Sequence, residues 1–153
     1  VGEQRYVVLV CGPPCAGKST WVAHHAQPGD LILDHDYLAQ QAGSPHTHAH
    51  SKHHHDLAAA RFDELCEQVH RSDTGRAYVI RCAANPNDRR QLAERIRADR
   101  VVVLIPPFGV TLRRASGHRP KQAIDAIYRW YRLYQPTDLD ETVATPAAPL
   151  PVW

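Results

Sequence analysis

Short, almost wholly apolar runs alternate along this chain with longer stretches whose apolar residues recur every three or four positions. Tyr6 to Cys11 (YVVLVC) is the first such run, and the absence of polar alternation predicts a strand buried on both faces. Residues 18–26 then read as a helix that Pro28-Gly29 stops. Leu31-Ile32-Leu33 predicts a second strand, which ends abruptly in Asp34-His35-Asp36. From Leu57 onward Phe62, Leu65, Cys66 and Val69 share one face, while Arg61, Asp63, Glu64 and Glu67 remain available to water, so a helix is predicted as far as Gly75. Residues 77–80 predict a third strand. Asn85 and Pro86 then mark a helix start, as cap and first helical residue, with Leu92, Ala93 and Ile96 as its buried stripe. Residues 101–105 form a fourth buried run, ended by Pro106-Pro107, and Ile124, Ile127, Tyr131 and Tyr134 recur at core spacing in a last helix.

Strands alternating with helices at this spacing imply an α/β fold: a parallel sheet of four to five strands with right-handed crossovers, covered by helices on both faces. With 153 residues, 43% of them hydrophobic, the chain can close one core. Residues 1–135 are therefore read as one domain. Residues 136–153 are read as a Pro-rich extended tail without regular structure, packing through Leu150, Val152 and Trp153. Eighteen Lys and Arg against 16 Asp and Glu leave a net charge of only +2, so no global positive field announces nucleic acid. Cys11, Cys15, Cys66 and Cys82 lack paired spacing and read as reduced thiols. No apolar run approaches the ~20 residues of a membrane span, and no signal peptide is recognisable, so the expectation is a cytoplasmic protein without a membrane partner. Methionine is absent, which leaves either a removed initiator or numbering that starts inside a longer chain.

The first candidate chemistry lies between the first strand and the first helix. Gly12-Pro13-Pro14-Cys15-Ala16-Gly17-Lys18-Ser19 is a complete G-x-x-x-x-G-K-S loop, followed by Thr20. In that position the glycines let the backbone of residues 12–20, Gly12, Pro13, Pro14, Cys15, Ala16 and Gly17 first, fold around phosphates so that successive N–H groups point inward. Lys18 then reaches the outer phosphates and the Ser19 hydroxyl ligates a metal. The expected ligands are ATP or another nucleoside triphosphate, with magnesium. The fold class sharpens to a three-layer P-loop NTPase fold.

Asp34 and Asp36 follow the second strand, at the edge where open α/β sheets bind ligands. The other strands run into Arg81-Cys82-Ala83 and into prolines, so only this one ends in carboxylates. That favours kinase over motor chemistry: Asp36 is the candidate general base for an attacking hydroxyl, with a helix N-cap as its bland alternative. Asp34 is the candidate to hold magnesium through water or to act as the base itself. Residues 112–121 are the most basic stretch, and they fall where such folds carry a mobile cover. Arg114 and Arg119 are its candidates for stabilising charge on the transferred group. Six of the 11 histidines lie between His46 and His55 in what is read as a surface loop, residues 43–56. Zinc binding by that tract is a weaker alternative to a solvated loop or one that contacts the acceptor. His35 and Arg81 are candidate acceptor contacts, with the 61–71 helix beside them. Trp130, Tyr131 and Tyr134 suit base stacking less well than core packing.

These residues resemble the bacteriophage-type polynucleotide 5′-kinases, within the small P-loop kinases. The resemblance runs from Tyr6 to about Tyr134: the loop continuing into Ser19-Thr20-Trp21, the Asp36-Tyr37 pair after a short strand, Asp88-Arg89-Arg90 at a helix start, and the lid with Arg114, Ser116, Arg119 and Lys121 before Ile124-Asp125 and Tyr128. It implies a catalytic aspartate at Asp36 and lid arginines at Arg114 and Arg119. The chain departs from the family at Leu38 and Ala39, where an arginine for the acceptor phosphate is usual, and at Arg81-Cys82-Ala83, where an acid is usual. The expected activity is γ-phosphate transfer to a nucleic-acid hydroxyl, at a 5′ end or on a modified base. A small-molecule kinase and a nucleotide-binding regulator or packaging ATPase are the rivals.

Overall fold

The computed structural model describes residues 3–145. Eleven elements follow in order: β1 (Tyr6–Cys11), α1 (Lys18–His25), β2 (Leu31–Leu33), α2 (His35–Gln41), α3 (Lys52–Arg71), β3 (Arg76–Arg81), α4 (Pro86–Arg95), β4 (Arg100–Leu104), α5 (Phe108–Ala115), α6 (Lys121–Leu133) and β5 (Asp140–Val143). The five strands form one wholly parallel sheet in the order β2-β3-β1-β4-β5. Alternation along β1 divides its side chains between two cores. Val7, Leu9 and Cys11 face α2, α3, α4 and α6 through Leu38, Phe62, Leu65, Ile96 and Trp130. Val8 and Val10 face α1 through Trp21 and Val22. The result is the expected three-layer sandwich, in which β1 is buried on both faces.

The connection after β1 leads toward β2 and β3, while the one after β4 leads to β5 on the opposite side. The crevice between the C-terminal ends of β1 and β4 is thus the topological switch point, and the loop after β1 opens into it. Asn85 caps α4 as expected, its side-chain oxygen accepting from the N–H groups of Asn87 and Asp88.

Three expectations are corrected. The histidine tract is not all loop: α3 begins at Lys52, with the Ser51 hydroxyl accepting from the His54 N–H, so His53, His54 and His55 are helical. Ser is a stronger N-cap than the tract's composition had indicated. The N-cap of α2 is Asp34, and Asp36 lies inside the first turn. Residues 140–143, read as structureless tail, add β5 beside β4, with Val101 opposite Asp140 and Leu104 opposite Val143. The packing expected of Leu150, Val152 and Trp153 lies outside the described residues.

What draws this segment onto the sheet is a buried ion pair. Arg89, 1% exposed, grips the Asp140 carboxylate with two nitrogens (2.9 and 2.8 Å) and also donates to the carbonyls of Ala83 (2.8 Å), Ala84 (3.1 Å) and Gln135 (2.6 Å). The N–H and hydroxyl of Thr137 bond to the same carboxylate, each at 2.9 Å. Burial alone would raise the Asp140 carboxyl, but the hydrogen bonds from Arg89 and Thr137 hold it below the usual range. Such a pair is worth little against an apolar substitute, yet losing one partner strands the other charge.

Arg89→Ala is therefore expected to destabilise the fold by ~3–5 kcal/mol in urea unfolding. Because the Asp140 carboxyl is depressed in the fold, its contribution is present above the ordinary value of ~4 and vanishes as pH falls through the folded value. The variant should accordingly show a shallower loss of stability on acidification than wild type. Equal stabilities at pH 7 would show that the pair does not anchor β5.

Candidate phosphate-binding site

Gly12 leaves β1 so close to β4 that a Cβ there would lie 2.6 Å from the Leu104 carbonyl oxygen, so no side chain fits without moving backbone. Its N–H bonds to the Cys82 carbonyl beyond β3 (3.4 Å), which stitches the loop to both neighbouring strands. The loop then tightens, with the Ala16 N–H on the Pro13 carbonyl (3.2 Å), Cys15 at φ 61° and Gly17 at φ 92° as N-cap of α1. Cys15 holds a left-handed conformation that non-glycine residues adopt uncommonly, an observed strain at the loop's crest. The first N–H groups of α1 have no carbonyl within the helix, and its first turn carries no acidic residue. The positive end of the helix dipole therefore faces the loop without an internal counter-charge. Lys18 reaches back across the loop, donating to the carbonyls of Gly12 (2.9 Å) and Pro13 (2.7 Å). Its ammonium stands where phosphate oxygens cradled by this loop would compete for it.

The two acids of the second strand part company. Asp34 turns toward the loop: Ser19 Oγ lies 3.5 Å from its Oδ2. Burial, reinforced by the negative charge of Asp36, raises its carboxyl above the usual range against the pull of Lys18. Asp36 turns toward the histidine tract instead. His48 Nδ1 lies 3.0 Å from one carboxylate oxygen and His50 Nε2 2.7 Å from the other. Ionised Asp36 only accepts, so each ring presents an N–H to it. Ser44, itself buried, bonds to Nδ1 of the 3%-exposed His50 side chain at 2.7 Å, while the acceptor-only Asp36 carboxylate places a proton on Nε2. Burial works to raise Asp36, but the two imidazole hydrogen bonds outweigh it and hold the carboxyl below its usual range.

Around the acids, His35 Nε2 meets His55 Nδ1 at 2.9 Å, and burial together with His55 lowers the His35 imidazole. Arg81 lies over the Phe62 ring at 3.7 Å, a stacked cation at the end of β3. Arg61 and Arg71 of α3 pair with Glu64 and Glu67 of their own helix. The lid arginines do reach the loop. Arg114 Nη1 donates to the Cys15 carbonyl (3.1 Å), and Arg119 Nη1 approaches Cys15 Sγ (3.6 Å). Arg119 Nε is buried with no hydrogen-bond partner among the described residues, an unmet donor beside the loop. That donor set, the open N-terminus of α1, one ammonium and the guanidinium groups, fits a polyphosphate, whereas the N–H groups of Gly12 and Ala16 are already bonded to carbonyls. Ser19 and Asp34 together supply the hard oxygens that magnesium prefers.

Trp130 is core: it is 2% exposed, donates to the Cys82 carbonyl (2.7 Å) and stacks on Tyr134 at 4.7 Å. Tyr131 donates to the Pro106 carbonyl. All four cysteines are free, and burial pushes the Cys11 thiol up to about 12. Among the described residues no group of three or more His, Cys, Asp and Glu side chains is arranged to hold a metal ion. No described helix is long and apolar enough to cross a membrane.

The tether on Asp36 is what sequence reasoning missed. Its only trace is the alternation His46-Thr47-His48-Ala49-His50, which in an extended segment sends every second ring to one side. Sequence separation of 12 to 14 residues hid which carboxylate those rings would meet.

The profile of the AAA domain family matches residues 7–131. A chain of the Pnkp1/Rnl/Hen1 RNA repair complex superposes with a TM-score of 0.62 at 12% identity, over 86% of this chain and 45% of that one. This chain thus spans less than half the length of that relative. The tunicamycin resistance protein of Deinococcus radiodurans superposes with a TM-score of 0.54 at 14% identity, over 92% of this chain and 86% of that one. No curated protein matches in sequence.

Two outcomes follow from the geometry. Gly12→Ala should weaken nucleotide binding at least tenfold by calorimetry, because relieving the Leu104 clash displaces the loop; unchanged affinity would mean that β4 yields instead. His50→Ala should move the Asp36 titration, followed by carboxyl carbon NMR, upward from its depressed position. The stability that the depressed Asp36 contributes above its ordinary value, and loses as pH falls through the folded one, should shrink in that variant. An unmoved titration would mean that His50 does not govern this carboxyl.

Proposed function

The chain belongs to the AAA domain family, and from that membership and the geometry above we propose that it is a kinase: a P-loop phosphotransferase that passes the γ-phosphate of ATP to a hydroxyl of a nucleic acid. The observation that carries this reading is the convergence on one loop of cations from two sides, Lys18 from α1 and Arg114 and Arg119 from the lid, with Asp34 turned to the loop at Ser19 and Asp36 two residues further on. A hydrolytic switch needs a placed water, whereas transfer to a hydroxyl needs a carboxylate to take its proton, the role we assign to Asp36 beside its two imidazoles.

In the proposed mechanism the acceptor oxygen attacks the γ-phosphorus in line. The new O–P bond forms as the bond to the β,γ-bridging oxygen breaks, and ADP leaves. The hydroxyl proton passes to Asp36, which His48 and His50 keep ionised and aimed. Lys18, Arg114 and Arg119 meet charge that spreads over the equatorial and bridging oxygens, contacts that strengthen toward the transition state. Ser19 and, through water, Asp34 would hold magnesium, which would supply neutralisation of phosphate charge. His35 and Arg81 stand on the acceptor side, Arg81 held flat by Phe62 so that its edge remains available to an acceptor phosphate.

Two observations favour a second reading, a small-molecule acceptor such as a nucleoside, sugar or antibiotic. The groups nearest Asp36 are imidazoles and a serine rather than a row of cations, and the tunicamycin resistance protein shares the fold over most of its length.

The deciding experiment incubates γ-labelled ATP and magnesium with 5′-hydroxyl DNA, 5′-hydroxyl RNA, modified-base DNA, nucleosides and sugars. Transfer to a polymer is expected, falling ~10²–10⁴-fold in Asp36→Asn. Label only in nucleosides or sugars establishes the second reading, and label in no acceptor removes the kinase. Loss in Asp34→Asn with Asp36→Asn fully active would move the base to Asp34.

A further inference from the structure

The charges of this molecule are unevenly matched. Across the rest of the fold most cations outside the phosphate loop and the Arg81–Phe62 stack sit opposite carboxylates: Arg5 on Asp99, Arg76 on Asp30, Arg90 on Asp138, Arg95 on Asp63, Arg97 on Asp73 and Arg100 on Glu141. The α5–α6 unit departs from this pattern. Between Ile105 and Thr137 the only acid is Asp125, against Arg113, Arg114, Arg119, Lys121, Arg129 and Arg132. Arg114 and Arg119 turn inward to Cys15, while Arg113, Lys121, Arg129 and Arg132 are all exposed. None of these four has a carboxylate within ion-pair distance among the described residues.

Two aromatic rings lie among them. Phe108 opens α5 at 36% exposure and meets Tyr128 of α6, 54% exposed, edge to face with centroids 5.0 Å apart. Tyr128 and Arg132 are one helical turn apart, as are Asp125 and Arg129, so the ring and both arginines fall on the outer side of α6. From α5, Arg113 folds back over Gly109, next to Phe108. Arg129 and Arg132 are like charges three residues apart, a spacing that disfavours a helix, and the two rings leave much of their surface exposed. Uncompensated cations interleaved with exposed aromatic faces match a flexible polyanion bearing planar groups.

We propose that the outer face of α5–α6 is a docking surface for single-stranded nucleic acid, with Arg113, Lys121, Arg129 and Arg132 on phosphates and Phe108 with Tyr128 as a base-stacking platform. The proposal rests on the kinase reading and deepens it, since the same two helices carry the arginines that meet the phosphate loop. A strand held on this face is held to the lid, so that docking and closure over the triphosphate involve one body. An anionic lipid surface is less well matched: the face bears two aromatic rings and Leu133 but no aliphatic stripe.

The test is fluorescence anisotropy with a labelled 12-nucleotide oligothymidylate and its RNA counterpart, without ATP, across a salt series. Wild type should bind with a Kd of roughly 10⁻⁶–10⁻⁴ M near physiological salt. Arg129→Glu/Arg132→Glu should weaken binding at least tenfold and flatten the slope of log K on log salt by about 1.4, the share of two single-strand phosphate contacts. Tyr128→Ala, at an exposed site, should weaken binding several-fold and leave the salt slope unchanged. Both variants should retain wild-type ATP binding, which separates a lost surface from a lost fold. Failure of wild type to bind either strand, variants that bind as tightly as wild type, or capture of anionic phosphatidylserine vesicles but of neither oligonucleotide would each overturn the proposal. Phosphate transfer to nucleosides alone, without strand binding, would overturn it and leave the kinase standing. Strand binding with transfer to no acceptor would sustain the surface and remove the kinase.

Discussion

The approach of Gly12 to the Leu104 carbonyl is the constraint on which the rest of this molecule turns. It exists because β1 lies at the centre of a parallel sheet, hydrogen-bonded to β3 on one side and β4 on the other, so the chain can leave only through the gap between their ends. A residue without Cβ opens that gap. The following turn then lays backbone N–H groups over the N-terminus of α1, where the helix dipole already favours an anion. Packing of Val8 and Val10 against Trp21 and Val22 holds strand and helix in the relation that keeps the loop curved.

Around that loop, distribution of charge does the remaining work. Asp34 and Asp36 are chemically alike and two residues apart, yet burial lifts the first and two imidazoles depress the second. The same residue type thus acquires two characters from its neighbours, which is how paired carboxylates divide labour in a single site. Across the crevice, Arg119 carries a buried Nε that lacks an acceptor among the described residues, a cost the fold bears at the place where a phosphate oxygen would relieve it.

The Arg89–Asp140 pair holds the far side of the sheet. Its five acceptor atoms join α4, the β3–α4 turn, the end of α6 and β5, elements separated by up to 51 residues. Because α6 belongs to the lid unit, this clamp and the Trp130 bond to Cys82 fix one end of that unit to the sheet. The other end, with Arg114 and Arg119, rests on the phosphate loop itself.

The phosphate loop, β1 to β4 and their order with the helices, and the Asn85 cap were legible in the residues because each is a local pattern: a period, a breaker or a glycine spacing. The basic run after the fourth strand was legible for the same reason, and its Arg114 and Arg119 lie against Cys15 of the loop. Three things were not. Asp140 reads as one polar residue in a proline-rich stretch until Arg89, distant in sequence, is seen to need a carboxylate. The histidines read as a solvated tract until the fold carries His48 and His50 onto Asp36. Asp34 and Asp36 could not be told apart, because their difference lies in what surrounds them and not in what they are. Sequence by itself determined the local conformations and the glycine-rich loop with its lysine, which nearest neighbours dictate. Tertiary structure alone decided which distant charges meet, because pairing energies depend on distances and burial that come into being only when the chain closes.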